Sequence, residues 1–155
     1  EKYIYINVIK MIKKLDAGPI YEQAKIKISN NENINKIQKK INKIFPLLTL
    51  RALEKIKNNI DPKKQKNINI KYFKQRKDSD GLIHWRKMSS KQVFNFVRAL
   101  SKPYPGAFYF NKNGKKNRVF SCKISKIKLQ SKPGSFHIIK NKVYVKCKKG
   151  SVQIR

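Results

Sequence analysis

Asp16, in the segment Asp16-Ala17-Gly18-Pro19, is a residue whose type and setting suggest acid–base chemistry. A carboxylate held at the end of a strand can keep a histidine in one tautomer and raise the pKa of that imidazole. Gly18 has no side chain, so its backbone could approach a ligand closely. By spacing alone, however, an Asp followed by Gly-Pro between two strands is ordinarily only a turn. Chemistry at Asp16 therefore requires partners from elsewhere.

The histidines and cysteines do not supply such partners. His84 and His137 have no cysteine or carboxylate at metal-site spacing, so they do not predict zinc. Cys122 and Cys147 are far apart and lack a C-x-x-C spacing. With no secretory signal and no apolar run long enough for a bilayer, we expect a cytoplasmic protein with two free thiols on strands. A disulfide between neighbouring strands is the less favoured alternative.

The formal charge of +31 indicates either a polyanionic partner such as RNA or a compositional bias. Lysine, asparagine and isoleucine are abundant throughout, whereas arginine, which pairs bidentately with phosphate, is scarce. Because the lysines are spread over predicted helices, strands and turns alike, we favour compositional bias.

Two predicted strands and a helix surround Asp16. Residues 3–11 are rich in β-branched and aromatic types, and residues 20–28 alternate apolar and lysine side chains, as half-buried strands do. Two strands form no stable unit alone, so we interpret them as the end of a larger sheet. Ser29-x-x-Glu32 has capping-box spacing ahead of a helical pattern, in which Pro46 predicts a kink or two abutting helices. The lysine- and asparagine-rich residues 61–69 predict a solvated linker.

A short helix and a series of short strands follow. Ser89-x-x-Gln92 is a second capping-box candidate, and the proline-rich residues 102–106 end the helix. Its apolar face is predicted to contain Val93, Phe94, Val97 and Leu100. Strand patterns occur at residues 107–110, 118–127, 136–139, 143–147 and 150–154, with Asn113-Gly114 as a hairpin signal. Short strands at this spacing predict a small closed or nearly closed barrel.

Two segments flank this helix and carry a specific signature. Residues 72–85 contain an R-x-x-x-D-G-x-I-x-W arrangement that ends at Trp85, and residues 97–108 contain Arg-Ala-Leu followed by Pro-Tyr-Pro-Gly-Ala-Phe. Both segments resemble the C-terminal domain of the formyltransferase family, and residues 132–135 and 150–154 are similar to its closing strands. We interpret the large aromatic residues of the signature as core or interface residues. These are Trp85, Tyr104 and Phe108.

The resemblance covers nearly the whole chain and implies an α+β fold in three parts. Residues 1–30 would be the end of a truncated α/β catalytic domain and contribute its two terminal strands. Residues 31–70 would be a linking helix and linker, and residues 71–155 a C-terminal domain with a short helix and an OB-like barrel. Because the first residue is Glu1 and not methionine, we expect the chain to begin inside a longer protein.

The same resemblance changes the interpretation of Asp16. In the family, the aspartate of an Asp-x-Gly turn belongs to an active-site trio with an asparagine and a histidine, which implies that Asp16 raises the pKa of that histidine. The loop formed by Ile12, Lys13, Lys14, Leu15 and Asp16 would line the site of the co-substrate, 10-formyltetrahydrofolate. The asparagine and histidine belong to the missing N-terminal catalytic domain, so we expect the chain alone to be inactive.

Family members transfer a formyl group to a primary amine, and two acceptors fit. The Pro-Tyr-Pro-Gly-Ala-Phe segment favours the branch that acts on a nucleotide-linked amino sugar, whereas the positive charge would suit methionyl-tRNA. We favour the sugar, since we interpret the charge as compositional. A non-enzymatic nucleic-acid-binding barrel is a hypothesis of another class, although residues 1–30 would then have no purpose. The sequence does not define the oligomeric state.

Overall fold

The computed structural model describes residues 3–66 and 72–155, which fall into two compact units. The first unit comprises Glu1–Glu32 and Lys36–Lys74, and the second comprises Asn33–Asn35 and Gln75–Arg155. Helices and antiparallel sheets together give the predicted α+β class. In the described parts of the chain, no helix combines the length and apolar character needed to cross a membrane.

The first unit opens with an antiparallel hairpin. Strand β1 spans Tyr3–Ile9 and β2 spans Ile20–Lys27, so both predicted strands are confirmed with slightly shorter ends. The pairing shifts by one residue at the end of β1, where the connecting loop begins. Ile6 and Ile26 are buried on one face of the hairpin, as the period-two pattern requires.

Helix α1 covers this apolar face. It spans Ile34–Lys57, and its Leu48 packs in one cluster with Ile6 and Ile26. Pro46 lies inside this single helix, so the predicted alternative of two abutting helices does not occur. Leu48 and Ala52, which follow Pro46, are buried, and their burial offsets part of the cost of a proline in the middle of the helix.

The predicted capping box at Ser29 and Glu32 lies ahead of α1 and not at its first turn. The Ser29 N–H donates to the Glu32 carboxylate at 2.8 Å, and the Glu32 N–H donates to the Ser29 carbonyl at 3.3 Å. These bonds close a turn between β2 and the helix, which begins at Ile34. The spacing therefore identified a real contact but placed the start of the helix too early.

The second unit contains helix α2 (Ser90–Leu100) and short strands. At its start, the Gln92 N–H donates to the Ser89 hydroxyl at 3.3 Å, and the Gln92 side chain accepts from the Ser89 N–H at 2.8 Å. This confirms the second predicted capping box. The strands are β3 (Ala107–Phe110), β4 (Lys116–Val119), β5 (Cys122–Ser125), β6 (Phe136–Ile139), β7 (Lys142–Lys146) and β8 (Ser151–Ile154).

The strands of this unit form two antiparallel sheets. One is the pair β3–β4, and the other has the order β5-β8-β7-β6. The predicted strand at residues 118–127 is two strands, because the chain passes from the first sheet to the second between Val119 and Cys122. Helix α2 packs its predicted apolar face onto the sheets. The fully buried core contains Val93, Val97, Val119, Val145 and Val152.

Both cysteines are free thiols, as predicted, and both are buried in the second unit, but only Cys122 lies on a strand. Cys122 lies opposite Ile154, at the end of β8, whereas Cys147 follows Lys146, which lies opposite Ser151, at the start of β8. The two cysteines therefore lie beside opposite ends of β8, and no disulfide joins them. Burial raises the pKa of Cys122 to about 12 and that of Cys147 to about 11.

Candidate functional site

The Asp16 turn lies in the loop that connects β1 to β2. Asp16 has a φ of 53°, a left-handed conformation that aspartate tolerates better than most residues. The Ala17 N–H donates to the Lys14 carbonyl at 3.4 Å. At the base of the loop, the Lys10 N–H donates to the Pro19 carbonyl at 2.9 Å and extends the hairpin by one step. The loop is therefore closed at its base by the main chain.

Gly18 is required by this closure. A Cβ at position 18 would lie 1.7 Å from the Lys10 carbonyl oxygen, so no side chain fits there. Gly18 is itself buried, and its close neighbour is the backbone of the opposite side of the loop. The sequence predicted that this glycine would permit close approach to a ligand. The structure gives it a packing role within the loop.

Two residues of the predicted linker form hydrogen bonds to the Asp16 turn and to the start of β2. The Gln65 side chain donates to the carbonyls of Asp16, at 2.9 Å, and Gly18, at 2.6 Å. Lys63 pairs with Ile20 through two backbone bonds of 2.7 and 2.8 Å. Residues 63–65 are therefore bound to the hairpin rather than free in solvent. Residues 67–69 of the predicted linker lie outside the described residues.

The Asp16 carboxylate is not among the groups that these anchors bind, because Gln65 contacts the main-chain carbonyl of Asp16. The side chain is exposed and, among the described residues, forms no hydrogen bond or ion pair. The rest of the predicted co-substrate loop, residues 12–15, is also exposed, with Leu15 at 71%. The structure thus brings the five predicted residues together on one exposed loop, with the main chain of Asp16 fixed and its carboxylate accessible.

A groove of about 900 Å³ lies beside this loop and is lined by residues 20–23, Lys55, Asp61 and residues 63–66. Its wall contains an ion pair of 2.6 Å between Lys55 and Glu22, and the Lys55 ammonium also donates to the Tyr21 carbonyl at 3.0 Å. Asp16 does not line this groove. Within the described residues of the first unit, Asp16 therefore lies at the surface and not inside a formed pocket.

The signature segment of the second unit forms a structural clamp. Asp78 pairs with Lys116 and with Arg118, the latter at 2.9 Å. Hydrogen bonds from Lys116 and Arg118 lower the pKa of the exposed Asp78 carboxyl. Arg118 also donates to the Pro105 carbonyl at 2.9 Å. These contacts attach the turn at Asp78–Gly81 to β4 and to the proline-rich segment, and the sequence did not single out Asp78 for this role.

The remaining signature residues pack around the same clamp. Gly81 is buried, and a Cβ there would meet the Gly106 carbonyl and the Phe108 ring at 3.3 Å. Phe108 is buried and Trp85 packs against the core, as predicted, but Tyr104 is 45% exposed and does not fill the core. Both histidines belong to the second unit, whereas Asp16 belongs to the first. In the described residues, no three His, Cys, Asp or Glu side chains are grouped as metal ligands.

Sequence reasoning missed Gln65 and Lys63, which hold the Asp16 turn. Their contacts go to main-chain carbonyl and amide groups, which any residue type provides. The sequence around them is rich in lysine and asparagine and has no period, so no pattern distinguishes them from solvated residues.

Comparison with known families gives one match. The profile of the formyl transferase C-terminal domain family matches residues 75–155. These residues carry the clamp, α2 and all strands of the second unit.

Individual relatives extend the similarity into the first unit. The bifunctional polymyxin resistance protein ArnA of Wigglesworthia glossinidia brevipalpis is 32% identical over 162 residues, which cover 99% of this chain and 23% of that protein. The methionyl-tRNA formyltransferase of Natranaerobius thermophilus is 30% identical, over 95% of this chain and 48% of that enzyme. The chain thus spans about a quarter to a half of the length of these curated relatives.

Solved structures share the fold across the whole chain. HypX from Aquifex aeolicus, in a complex with tetrahydrofolic acid, has a TM-score of 0.75 and 20% identity, over 99% of this chain and 27% of that one. WlaRD, a sugar 3N-formyl transferase crystallised in the presence of dTDP and 5-N-formyl-THF, has a TM-score of 0.69 and 18% identity, over 100% of this chain and 55% of that one. At these identities the likeness concerns the fold.

Proposed function

We propose that this chain, which belongs to the formyl transferase family through its C-terminal domain, is part of an enzyme that transfers a formyl group from 10-formyltetrahydrofolate to a primary amine. The observation that carries the proposal is the joint occurrence of the family domain at residues 75–155 and an ordered Asp-x-Gly turn at Asp16. Two relatives align with both the Asp16 turn and the family domain. One is a methionyl-tRNA formyltransferase, and the other is the bifunctional protein ArnA.

In this proposal the three parts of the chain keep the predicted bounds. Residues 1–30 end a catalytic domain, residues 31–70 link it to the next, and residues 71–155 form a C-terminal domain whose two sheets are parts of an OB-like barrel. The hairpin β1–β2 supports the first assignment, because two strands ordinarily belong to a larger sheet. The two buried thiols suit a reducing compartment such as the cytoplasm.

Asp16 would act on a histidine from the preceding part of the longer protein. Its carboxylate is exposed, while Gln65 fixes its main chain, so a second domain could approach the carboxylate without rearranging the turn. A negative charge beside an imidazole raises the pKa of that imidazole and keeps it protonated near neutral pH. The protonated ring, with an asparagine, would stabilise the oxyanion that forms when the amine attacks the formyl carbon.

The loop of Ile12, Lys13, Lys14, Leu15 and Asp16 would contact the folate co-substrate. Exposed apolar side chains on this loop suit the flat, largely apolar ring system of a folate, and its two lysines suit the carboxylates of the folate tail. Relatives of the same fold have been crystallised with tetrahydrofolic acid or 5-N-formyl-THF.

The acceptor we favour is a nucleotide-linked amino sugar. The Pro-Tyr-Pro-Gly-Ala-Phe segment supports it, and WlaRD, which has the same fold, is a sugar formyl transferase. Methionyl-tRNA is the alternative, supported by the relative from Natranaerobius thermophilus and by the charge of +31. Steady-state assays of the longer protein with each acceptor would distinguish them.

The test of the catalytic role is Asp16→Asn in the longer protein. We expect a loss of formyl transfer of about a hundredfold or more near neutral pH, with folding intact. Because the substitution lowers the pKa of the histidine, the residual activity should rise as the pH is lowered. Asp61→Asn is a matched control, since Asp61 is an exposed acid of the same unit. Formyl transfer by Asp16→Asn at the rate of the control would remove Asp16 from the mechanism.

A further inference from the structure

Gln65, in the segment that follows α1, binds the turn that carries Asp16. Its side-chain amide donates to the Asp16 carbonyl at 2.9 Å and to the Gly18 carbonyl at 2.6 Å. Within the described residues, no main-chain amide donates to either carbonyl. One side chain, 49 residues from Asp16 in sequence, therefore fixes the peptide groups on both sides of Ala17.

The main chain holds Gln65 beside the turn independently of its side chain. Lys63 pairs with Ile20 through two backbone bonds of 2.7 and 2.8 Å. Gln65 itself is half-buried, whereas the lysines on either side of it are exposed. The Tyr72 hydroxyl adds a bond to the Leu15 carbonyl at 3.3 Å. Side chains that follow α1 thus bind three successive parts of the Asp16 loop.

The direction of the Asp16 carboxylate depends on the main chain that Gln65 fixes. Asp16 has a φ of 53°, in the left-handed region that residues with a Cβ disfavour. Such a conformation persists only where surrounding contacts hold it. The carbonyl carbon and the Cβ of Asp16 are both attached to its Cα, so the direction of the carbonyl is linked to that of the side chain. Without the Gln65 bonds, the turn would relax and the carboxylate would move.

We propose that Gln65 is a positioning residue for the reaction, which directs the Asp16 carboxylate through the main chain of the turn. This inference rests on the proposed function, in which the Asp16 carboxylate acts on a histidine. The amide of glutamine suits the role, because one nitrogen carries two hydrogens, one for each carbonyl, and adds no charge beside the acid. The segment at residues 63–65 would then support the active site as well as connect the parts of the chain.

The test measures formyl transfer by the longer protein with Gln65 replaced. Gln65→Met keeps the length of the side chain but removes both donors, and Gln65→Glu keeps its shape but replaces the donor with an acceptor. Gln23→Met is the matched control, because the Gln23 amide donates at 2.7 Å to the Asn7 side chain and not to the turn. Amide exchange of residues 3–27 in the 155-residue chain verifies that the hairpin forms in each variant.

We expect kcat of Gln65→Met and Gln65→Glu to fall about 10- to 100-fold, with KM for the amine unchanged, because a catalytic group displaced by about 1 Å costs rate rather than binding. Gln23→Met should retain the kcat of the parent protein. The alkaline limb of the kcat–pH profile of Gln65→Met should move to lower pH, because a displaced carboxylate raises the pKa of the histidine less. A lower rate at every pH with an unmoved limb would indicate only a loss of folded protein and would contradict the positioning role.

A double-mutant cycle separates this inference from the role of Asp16 itself. If Gln65 acts through Asp16, Gln65→Met should have little further effect in the Asp16→Asn background. An equal further loss in both backgrounds would overturn the inference. So would parent-like kinetics of Gln65→Met beside a strongly impaired Asp16→Asn, and this result would leave the proposed function standing. Parent-like activity of Asp16→Asn would instead overturn the role of Asp16 and, with it, that of Gln65.

Discussion

Replacing Gly18 with alanine should destabilise the first unit, although the backbone of Gly18 is not left-handed. The added Cβ would lie 1.7 Å from the Lys10 carbonyl oxygen, whereas ordinary contact begins at 3.4 Å. The two sides of the loop would have to separate by about the difference, 1.7 Å. The bond of 2.9 Å from Lys10 to Pro19 cannot survive such a movement.

The expected destabilisation is the sum of the steric overlap and the lost hydrogen bond. Overpacking of a rigid site costs about 1–3 kcal/mol, and one lost hydrogen bond costs about 1 kcal/mol. We therefore expect the free energy of opening of the β1–β2 hairpin to fall by about 2–4 kcal/mol. Since 1.4 kcal/mol is a factor of ten, amide exchange in these strands should accelerate by about 30- to 700-fold.

Hydrogen–deuterium exchange resolved to residues 3–27 measures this change directly. Trp85 is the only tryptophan and belongs to the second unit, so the urea midpoint of its fluorescence should not move. Gly114→Ala is the comparison: nothing lies within 4 Å of its Cβ, but its φ is +72°. Gly114→Ala should lower the free energy of unfolding of the second unit by only about 1–2 kcal/mol, because alanine is strained in a left-handed conformation. Unchanged exchange in Gly18→Ala would refute the steric argument.

Two further predictions concern the second unit. Ser89→Ala removes the acceptor of the Gln92 N–H and should lower the free energy of unfolding by about 1 kcal/mol, measured by Trp85 fluorescence in urea; Ser89→Thr should retain most of it. The raised pKa values of Cys122 and Cys147 mean that the unfolded thiols ionise first, so stability should decline as the pH rises above about 8.5 and continue to fall toward pH 11–12. The double variant Cys122→Ala, Cys147→Ala should show a shallower decline, and an equal slope would contradict the burial argument.

The elements bounded by strong local signals were predictable from the sequence. Residues 107–110 and 136–139 are strands with the predicted ends, because proline and glycine precede each of them. The capping box at Ser89 likewise places the start of α2. These signals act within a few residues and need no knowledge of the rest of the chain.

The errors arose where distant contacts decide the local structure. Of the two alternatives predicted at Pro46, the pair of abutting helices is wrong, since α1 is a single helix with one face packed on the hairpin. The strand predicted at residues 118–127 is divided because each half pairs with a different sheet. At the candidate site, the turn sequence identified Asp16. Gln65, 49 residues away, donates only to main-chain carbonyl groups, so no sequence pattern indicates its role.

The contacts that fix the backbone of the Asp16 loop do not involve the side chains of residues 12–15. The loop is held by a main-chain hydrogen bond between Lys10 and Pro19 and by the Gln65 side chain, which donates to main-chain carbonyls. At its base, Gly18 packs directly against the backbone of Lys10. The side chains at positions 12–15 take no part in that framework, so they can be exchanged without displacing the acid. The exposed side chains of this loop can therefore vary at small cost in stability.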